Sequence, residues 1–143
     1  MITTIDNAIL IDIPKIQNNL GNLSVIEGNT IPFQIGHVYY LDGASEAAEK
    51  YGSAQRKKQK VLVALNGSLE VFLYDGQNKK KVVLDKPNQA LYVPAGVWCE
   101  MRDFPSGTVC LIVASAAFDG SDYITGKENF KLFKHSISQS DIG

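Results

Sequence analysis

Short hydrophobic runs that alternate with polar residues cover most of this chain of 143 residues. Alternation with a period of two is typical of β-strands, in which successive side chains point to opposite faces of a sheet. No helical pattern between the runs is long enough to connect parallel strands. The strands predicted in this way are residues 8–13, 23–27, 36–41, 59–65, 69–74, 81–84, 90–93, 97–102 and 108–114.

Glycine turns separate these strands at regular intervals. Gly67 follows Asn66 and Gly76 follows Asp75, and such pairs tolerate the positive φ that tight hairpins require. Gly96 ends a Pro-Ala-Gly corner between two further strands. Short strands with regular turns favour a sandwich or a barrel. We therefore expect an all-β fold that resembles the cupin, a double-stranded β-helix or jelly-roll barrel.

Helical patterns are confined to two short segments. Residues 45–51 predict two helical turns with Ser45 as N-cap, and residues 129–133 predict one turn. The polar residues 134–143 predict a flexible tail. Hydrophobic residues make up 45% of the sequence, so the chain can bury the core of a single domain spanning residues 1–143.

The charge pattern excludes several classes of partner. The formal net charge of -1 gives no basic field for nucleic acid or an anionic membrane. The cationic run at residues 56–60 is interpreted as a solvated strand edge. No apolar run approaches the roughly 20 residues of a membrane span, and the first residues do not resemble a signal peptide. A cytoplasmic location is the default expectation.

A transition-metal site is not expected, nor is any other cofactor. Cupins that use a metal hold it with several histidines and a glutamate, but this chain has only two histidines, His37 and His135. His135 falls in the predicted tail. Even a pairing of His37 with Glu100 leaves the usual ligand set incomplete.

His37 and Tyr39 are the first candidates for chemistry. They alternate along one predicted strand, so their side chains share a face. If that face lines the barrel, it supplies an imidazole and a phenol. The alternative, which is more common for such a pair, is a structural role: His37 forms a hydrogen bond with the backbone, and Tyr39 packs in the core. Trp98 could likewise stack a base or a sugar ring, or belong to the core.

Cys99 and Cys110 flank the turn at residues 103–107 almost symmetrically. A disulfide between them is conceivable, but reduced and buried thiols are favoured in a cytoplasmic protein. A nucleophilic Cys99 would need a neighbouring base, which the sequence does not reveal.

Four segments resemble the sugar-nucleotide 3,4-ketoisomerases, a family of cupins. The matching segments are residues 31–40, 66–71, 91–104 and 114–124, and the resemblance extends over residues 10–133. The last segment contains Asp122-Tyr123-Ile124, which cupins in general do not share. The resemblance implies a metal-independent homodimer with exchanged N-terminal strands. It also implies a dTDP-sugar ligand, dTDP-4-keto-6-deoxyglucose, from the synthesis of bacterial surface amino-sugars.

The chain departs from the family pattern where the family performs its chemistry. Ser53 and Gln55 replace the two histidines of a His-x-His motif, and Cys99 replaces a further histidine. Leu20 replaces an arginine, and His37 stands where the family has arginine or lysine. Because isomerisation through an enediol needs a general base, these departures predict impaired or altered catalysis.

Three hypotheses follow from this pattern. The first is a divergent isomerase, in which His37, Tyr39 and Glu100 carry out acid-base catalysis. The second is a non-catalytic module that senses a sugar nucleotide or partners a paralogous enzyme, and the third is a structural subunit without a ligand. The residues predicted to bind the ligand are Ser53, Gln55, Arg56, Trp98 and Cys99.

Overall fold

The computed structural model describes residues 2–43, 52–102 and 104–142. Twelve strands and one α-helix are found in this part of the chain. The strands are β1 (Ile9–Asp12), β2 (Lys15–Asn18), β3 (Gly21–Ser24), β4 (His37–Asp42), β5 (Gly52–Gln55), β6 (Lys60–Asn66), β7 (Leu69–Tyr74), β8 (Lys79–Leu84), β9 (Gln89–Val93), β10 (Trp98–Arg102), β11 (Val109–Ala114) and β12 (Tyr123–Thr125), and the helix is α1 (Lys127–Ile142).

Two five-stranded antiparallel sheets pack face to face and form the barrel. The first sheet has the order β1-β9-β6-β11-β4, and the second has the order β12-β5-β10-β7-β8. Their inner faces bury one apolar core, which includes Leu62, Leu91 and Ile112 from the first sheet and Val71 and Leu73 from the second. The predicted all-β cupin barrel is therefore confirmed. Strands β2 and β3 form a separate hairpin.

The glycine turns have the backbone conformations that their sequences predict. Gly67, between β6 and β7, has a φ of 75°. A Cβ atom there would lie 2.4 Å from the hydroxyl oxygen of Thr108, so the turn has no room for a side chain. Gly96, at the corner before β10, has a φ of 80°. Both positions favour glycine because other residues rarely adopt positive φ.

Different segments cover the outer faces of the two sheets. Ile13, Ile31 and Phe33 pack against the outward side chains of β6, including Val61. Helix α1 covers the second sheet through Phe130, which is fully buried against Trp98 and Tyr74.

Helix α1 is much longer than the single turn predicted at residues 129–133. It continues to Ile142, through the segment predicted as a flexible tail. The physical reason is that Phe130 and Lys134, one turn apart, both have partners on the barrel. The Lys134 ammonium donates hydrogen bonds to the carbonyl oxygens of Thr3 (2.7 Å) and Gly96 (2.9 Å).

Three short strands, β2, β5 and β12, were not predicted, and the strand predicted at residues 23–27 lies instead at Gly21–Ser24. The helix predicted at residues 45–51 lies outside the described residues. In the part of the chain that is described, no helix is long and apolar enough to span a membrane.

Candidate functional site

Polar side chains enter the barrel towards the end where β4 and β6 begin. His37 and Tyr39 pair with Ala114 and Ile112 of β11, and Ile112 belongs to the core between the sheets. Because alternate residues of a strand share a side, both aromatic rings point into the barrel. His37 and Tyr39 thus share the face that their spacing predicts.

The imidazole of His37 has a free polar atom in this interior. Its ring centroid lies 5.0 Å from that of Tyr39, and the two rings are tilted by 50°. The Nδ1 atom of His37 is buried and has no hydrogen-bond partner among the described residues. A buried polar atom without a partner is unusual, and it leaves this nitrogen available to a ligand.

Tyr39 forms a pair with Tyr123 of β12. Burial raises the pKa of the Tyr39 phenol well above its ordinary value of 10.0, and the neighbouring Tyr123 raises it further. The phenol is therefore protonated at neutral pH, so Tyr39 can donate a hydrogen bond or a proton but is a poor base.

The Asp122-Tyr123-Ile124 motif fixes this tyrosine in place. The Asp122 carboxylate accepts hydrogen bonds from the backbone N–H groups of Lys57 (2.9 Å) and Lys58 (3.1 Å). The following residues pair with β5, and Tyr123 lies opposite Gln55. The motif thus closes the edge of the second sheet and directs the Tyr123 phenol towards Tyr39.

Ser53 and Gln55 also point into the barrel. Ser53 lies opposite Cys99, which belongs to the core cluster between the sheets, and Gln55 shares its side of β5. Gln55 is buried, and its backbone carbonyl accepts a hydrogen bond from Gly96. The two positions at which the family pattern has histidine are therefore neighbours of the tyrosine pair.

Both cysteines are free and buried, in agreement with the interpretation as reduced thiols. They lie on different sheets, Cys99 on β10 and Cys110 on β11. Burial raises the pKa of both thiols, that of Cys110 to about 12, while the charge of Lys60 acts weakly in the opposite direction. The thiols are therefore protonated and unsuited to nucleophilic attack.

Lys60 is an interior residue that the sequence did not reveal. The cationic run was interpreted as a solvated edge, but Lys58 and Lys60 are only 4% and 8% exposed, so this interpretation is wrong for both. Lys60 alternates with the core residue Leu62 and therefore points into the barrel. Strand β6 is apolar on both faces, so its pattern could not distinguish the inner positions from the outer ones.

Glu100 and Trp98 lie on the opposite side of the second sheet from His37 and Tyr39. They alternate with Cys99 on β10, so they point outwards, towards helix α1. The Glu100 carboxylate accepts hydrogen bonds from Trp98 Nε1 (2.8 Å) and from Arg102, and it forms a salt bridge with Lys127 (3.3 Å). The predicted convergence of His37, Tyr39 and Glu100 is therefore not found.

The electrostatics of Glu100 are those of a structural ion pair. Burial alone would raise the pKa of its carboxyl, but the hydrogen bonds from Trp98, Arg102 and Lys127 together hold that pKa below the ordinary value of 4.5. The carboxylate is ionised at neutral pH and its oxygens are occupied, so it is poorly placed to accept a substrate proton.

Two surface clefts adjoin the outer face of the second sheet. One, of about 240 Å³, is lined by Phe72, Tyr74, Arg102 and Lys127 among others. The other, of about 440 Å³, contains Arg56. The guanidinium carbon of Arg56 lies 5.3 Å from the centre of the Phe133 ring, so this predicted ligand-binding residue is outside the barrel.

Metal-ligating side chains do not converge in the described residues. No three of the histidine, cysteine, aspartate and glutamate side chains in those ranges are close enough together to hold a metal ion. The interior instead supplies neutral hydrogen-bonding groups and one ammonium, which suit an uncharged ring with hydroxyl and carbonyl oxygens.

Comparison with known proteins gives a consistent result. Residues 6–135 match the family described as WxcM-like, C-terminal, under the name FdtA. The TDP-4-oxo-6-deoxy-alpha-D-glucose-3,4-oxoisomerase of Aneurinibacillus thermoaerophilus is 41% identical over 135 residues, which cover 94% of this chain and 97% of that protein.

Solved structures extend the similarity to the fold. QdtA, a sugar 3,4-ketoisomerase from Thermoanaerobacterium thermosaccharolyticum solved in complex with TDP, has a TM-score of 0.86 at 34% identity, over 91% of this chain and 96% of its own. The TDP-quinovose 3,4-ketoisomerase WlaRB of Campylobacter jejuni has a TM-score of 0.83 at 31% identity, over 87% of this chain and 97% of its own.

Proposed function

Because this chain belongs to the WxcM-like, C-terminal family, we propose that it is a divergent sugar-nucleotide 3,4-ketoisomerase with impaired or altered catalysis. Its ligand is a dTDP-sugar from deoxysugar metabolism that feeds surface polysaccharide. The observation that carries the proposal is the position of Ser53 and Gln55. Both point into the barrel beside the tyrosine pair, where the family pattern has histidines.

The sugar of this ligand lies in the barrel interior. The side chains there offer hydrogen bonds from hydroxyl, phenol, amide and imidazole groups, which match the hydroxyl and carbonyl oxygens of a keto sugar. The outer cleft beside Glu100 is a poorer candidate, because neither Ser53 nor Gln55, where the family pattern has histidines, lines it.

Isomerisation moves a proton between neighbouring carbon atoms of the sugar. A base removes the proton from the carbon beside the carbonyl group, and an enediolate forms. The hydroxyl proton of that carbon passes to the former carbonyl oxygen, a proton returns to the former carbonyl carbon, and the hydroxyl carbon becomes the new carbonyl. In this chain His37 is the base, and the protonated Tyr39 phenol is the proton donor. The transfer changes no net oxidation state, so the proposed reaction requires neither a redox cofactor nor a metal.

We expect a low isomerisation rate because the proposed base, His37, does not stand at either of the positions, 53 and 55, where the family pattern has histidine. Ser53 and Gln55 do not titrate near neutral pH, and His37 is on another strand. Loss of a positioned general base typically slows a reaction by about 10²–10⁴-fold.

A homodimer is part of the proposal. Strand β4 lies at the edge of the first sheet and exposes Val38 and Tyr40 on its outer face. An exposed apolar edge strand favours pairing with a second copy, and the family resemblance implies exchanged N-terminal strands. Light scattering that finds a monomer at micromolar concentration would contradict this part of the proposal.

The direct test is incubation of the protein with dTDP-4-keto-6-deoxyglucose in D₂O, with sugar deuteration followed by mass spectrometry and binding by calorimetry. We expect binding together with slow deuterium incorporation. Binding without any exchange would favour the non-catalytic module instead. Absence of binding would contradict a sugar-nucleotide function altogether.

A further inference from the structure

Three lysines of the described residues are buried, and they differ in what surrounds the ammonium group. Lys58 is 4% exposed, and Lys60 and Lys134 are each 8% exposed. Burial of a cation is costly unless it has partners, so each such position needs a physical explanation.

Two of the three have partners in the protein. The Lys58 ammonium lies over the aromatic rings of Phe118 (5.8 Å) and Tyr123 (5.1 Å), an arrangement that stabilises a cation. The Lys134 ammonium donates hydrogen bonds to two backbone carbonyl groups and thereby ties helix α1 to the N-terminal segment. Both lysines therefore contribute to the fold.

The third, Lys60, has no such explanation. No hydrogen bond, salt bridge or cation–π contact of its ammonium is found within residues 2–43, 52–102 and 104–142. Its positive charge acts on the Cys99 and Cys110 thiols, which are weak hydrogen-bond acceptors. The Lys60 Nζ atom is not among the fully buried atoms that lack a partner, so the ammonium is open to the barrel interior, where a ligand can be the partner that accepts its hydrogen bond.

The position of Lys60 in the sheet indicates where that partner lies. Lys60 pairs with Ala114, and Ala114 pairs with His37 on the next strand. Strands in a sheet are about 4.8 Å apart, so the Lys60 and His37 Cα atoms are about 10 Å apart in one row. Ala114, which has a small side chain, lies between them in this row, with Lys60 on one side and His37 on the other.

We infer that the Lys60 ammonium binds the carbonyl oxygen of the ligand's sugar and stabilises the negative charge that develops there. This inference rests on the proposed function. When the base removes the proton beside the carbonyl, the C–H electron pair forms a carbon–carbon double bond. The carbonyl electron pair moves to oxygen, and the ammonium keeps its proton and donates a hydrogen bond to that oxygen.

The first test uses Lys60→Met, which keeps the length of the side chain and removes its charge, in the full chain without ligand. If the protein supplies no partner to the Lys60 ammonium, this variant should not lower the melting temperature and can raise it by up to about 3–5 °C for a domain of this size. Lys58→Met is the matched control, because it removes a buried ammonium that does have partners, and it should lower the melting temperature. A lower melting temperature for Lys60→Met would assign Lys60 to the fold and overturn the inference.

The second test measures the dissociation constants of dTDP-4-keto-6-deoxyglucose and of dTDP for the wild type and for Lys60→Met. Loss of a charge-assisted hydrogen bond should weaken binding of the keto sugar nucleotide about 10-fold. Binding of dTDP, which lacks the sugar, should be unchanged. If Lys60→Met binds both ligands equally more weakly, the ammonium contacts the diphosphate. If it binds neither more weakly, the ammonium does not contact the ligand. Either result would overturn the inference.

The same experiment separates this inference from the proposed function. If the wild type binds neither ligand, the proposed function fails and the inference fails with it. If the wild type binds both and Lys60→Met binds them equally well, only the inference fails.

Discussion

The outer face of the second sheet and the interior of the barrel both carry polar groups, but these groups differ in whether they have partners. On the outer face, the Glu100 carboxylate has partners in Trp98, Arg102 and Lys127. Inside the barrel, the Nδ1 atom of His37 on β4 is buried without a hydrogen-bond partner among the described residues. Polar groups with partners stabilise a fold, whereas buried groups without them destabilise it. This difference in hydrogen-bond partners favours the barrel interior as the place where a ligand binds.

Restoring histidines to the inner face should produce the largest change. Ser53→His with Gln55→His should raise the rate of deuterium incorporation into dTDP-4-keto-6-deoxyglucose by about 10²–10⁴-fold, because a general base then stands where the family has it. The control places the same substitutions at Ser24 and Gln17, which are exposed on the β2–β3 hairpin. An equal rise in the control would show that the effect does not come from the inner face.

Removing the central carboxylate from the outer face should affect stability and leave binding unchanged. Glu100→Leu deprives the buried Trp98 N–H of its acceptor, which should lower the free energy of unfolding by about 1–3 kcal/mol. Urea unfolding measures this change. Glu70→Leu is a suitable control, because in the described part of the chain Glu70 has a single salt bridge, to the half-exposed Lys81. Lost affinity for dTDP in Glu100→Leu would mean that the outer face takes part in the site.

The stabilisation by Glu100 should depend on pH in a direction that its pKa determines. The folded-state pKa of Glu100 lies below the ordinary value of 4.5. Its contribution is therefore complete above that value and is lost as the pH falls through the lower, folded-state pKa. Urea unfolding of the wild type and Glu100→Gln should differ most near pH 7 and converge towards pH 3. A difference that grows on acidification would contradict this assignment.

A smaller effect is expected at the exposed edge of the same network. Lys127 is 46% exposed, so its salt bridge with Glu100 should contribute at most about 1 kcal/mol. Lys127 is also the first residue of α1, where a positive charge is unfavourable to the helix dipole. These effects oppose each other, and Lys127→Ala should change the free energy of unfolding by about 0.5 kcal/mol or less. A loss of stability as large as that of Glu100→Leu would show that the contacts of Glu100 with Trp98, Arg102 and Lys127 depend on one another, and would contradict this prediction.

Much of the fold could be predicted from the sequence because its signals are local. Gly67 and Gly96 mark turns that require positive φ, and the alternation in β7 identifies a strand with one buried face. Helix α1 was underestimated because its support comes from distant groups, such as the Gly96 carbonyl that Lys134 contacts. A contact between residues 96 and 134 leaves no trace in either local pattern.

The candidate site could be predicted only in part, for a related reason. Alternation shows that His37 and Tyr39 share a face and that Trp98 and Glu100 share another, but it does not say which face is the inner one. In β10, the apolar residues Cys99 and Met101 share one face, which indicates that this face is the inner one and that Glu100 points outwards. Lys60 gave no signal, because the residues around it are apolar on both faces of β6.

The most direct test of the central claim is a crystal structure of this protein with dTDP-4-keto-6-deoxyglucose at a concentration that saturates binding in solution. We predict that the sugar ring lies inside the barrel, between His37 and Lys60, with its carbonyl oxygen within hydrogen-bond distance of the Lys60 ammonium. A ligand bound in the outer cleft beside Phe72 and Arg102, with the barrel interior empty, would contradict the account.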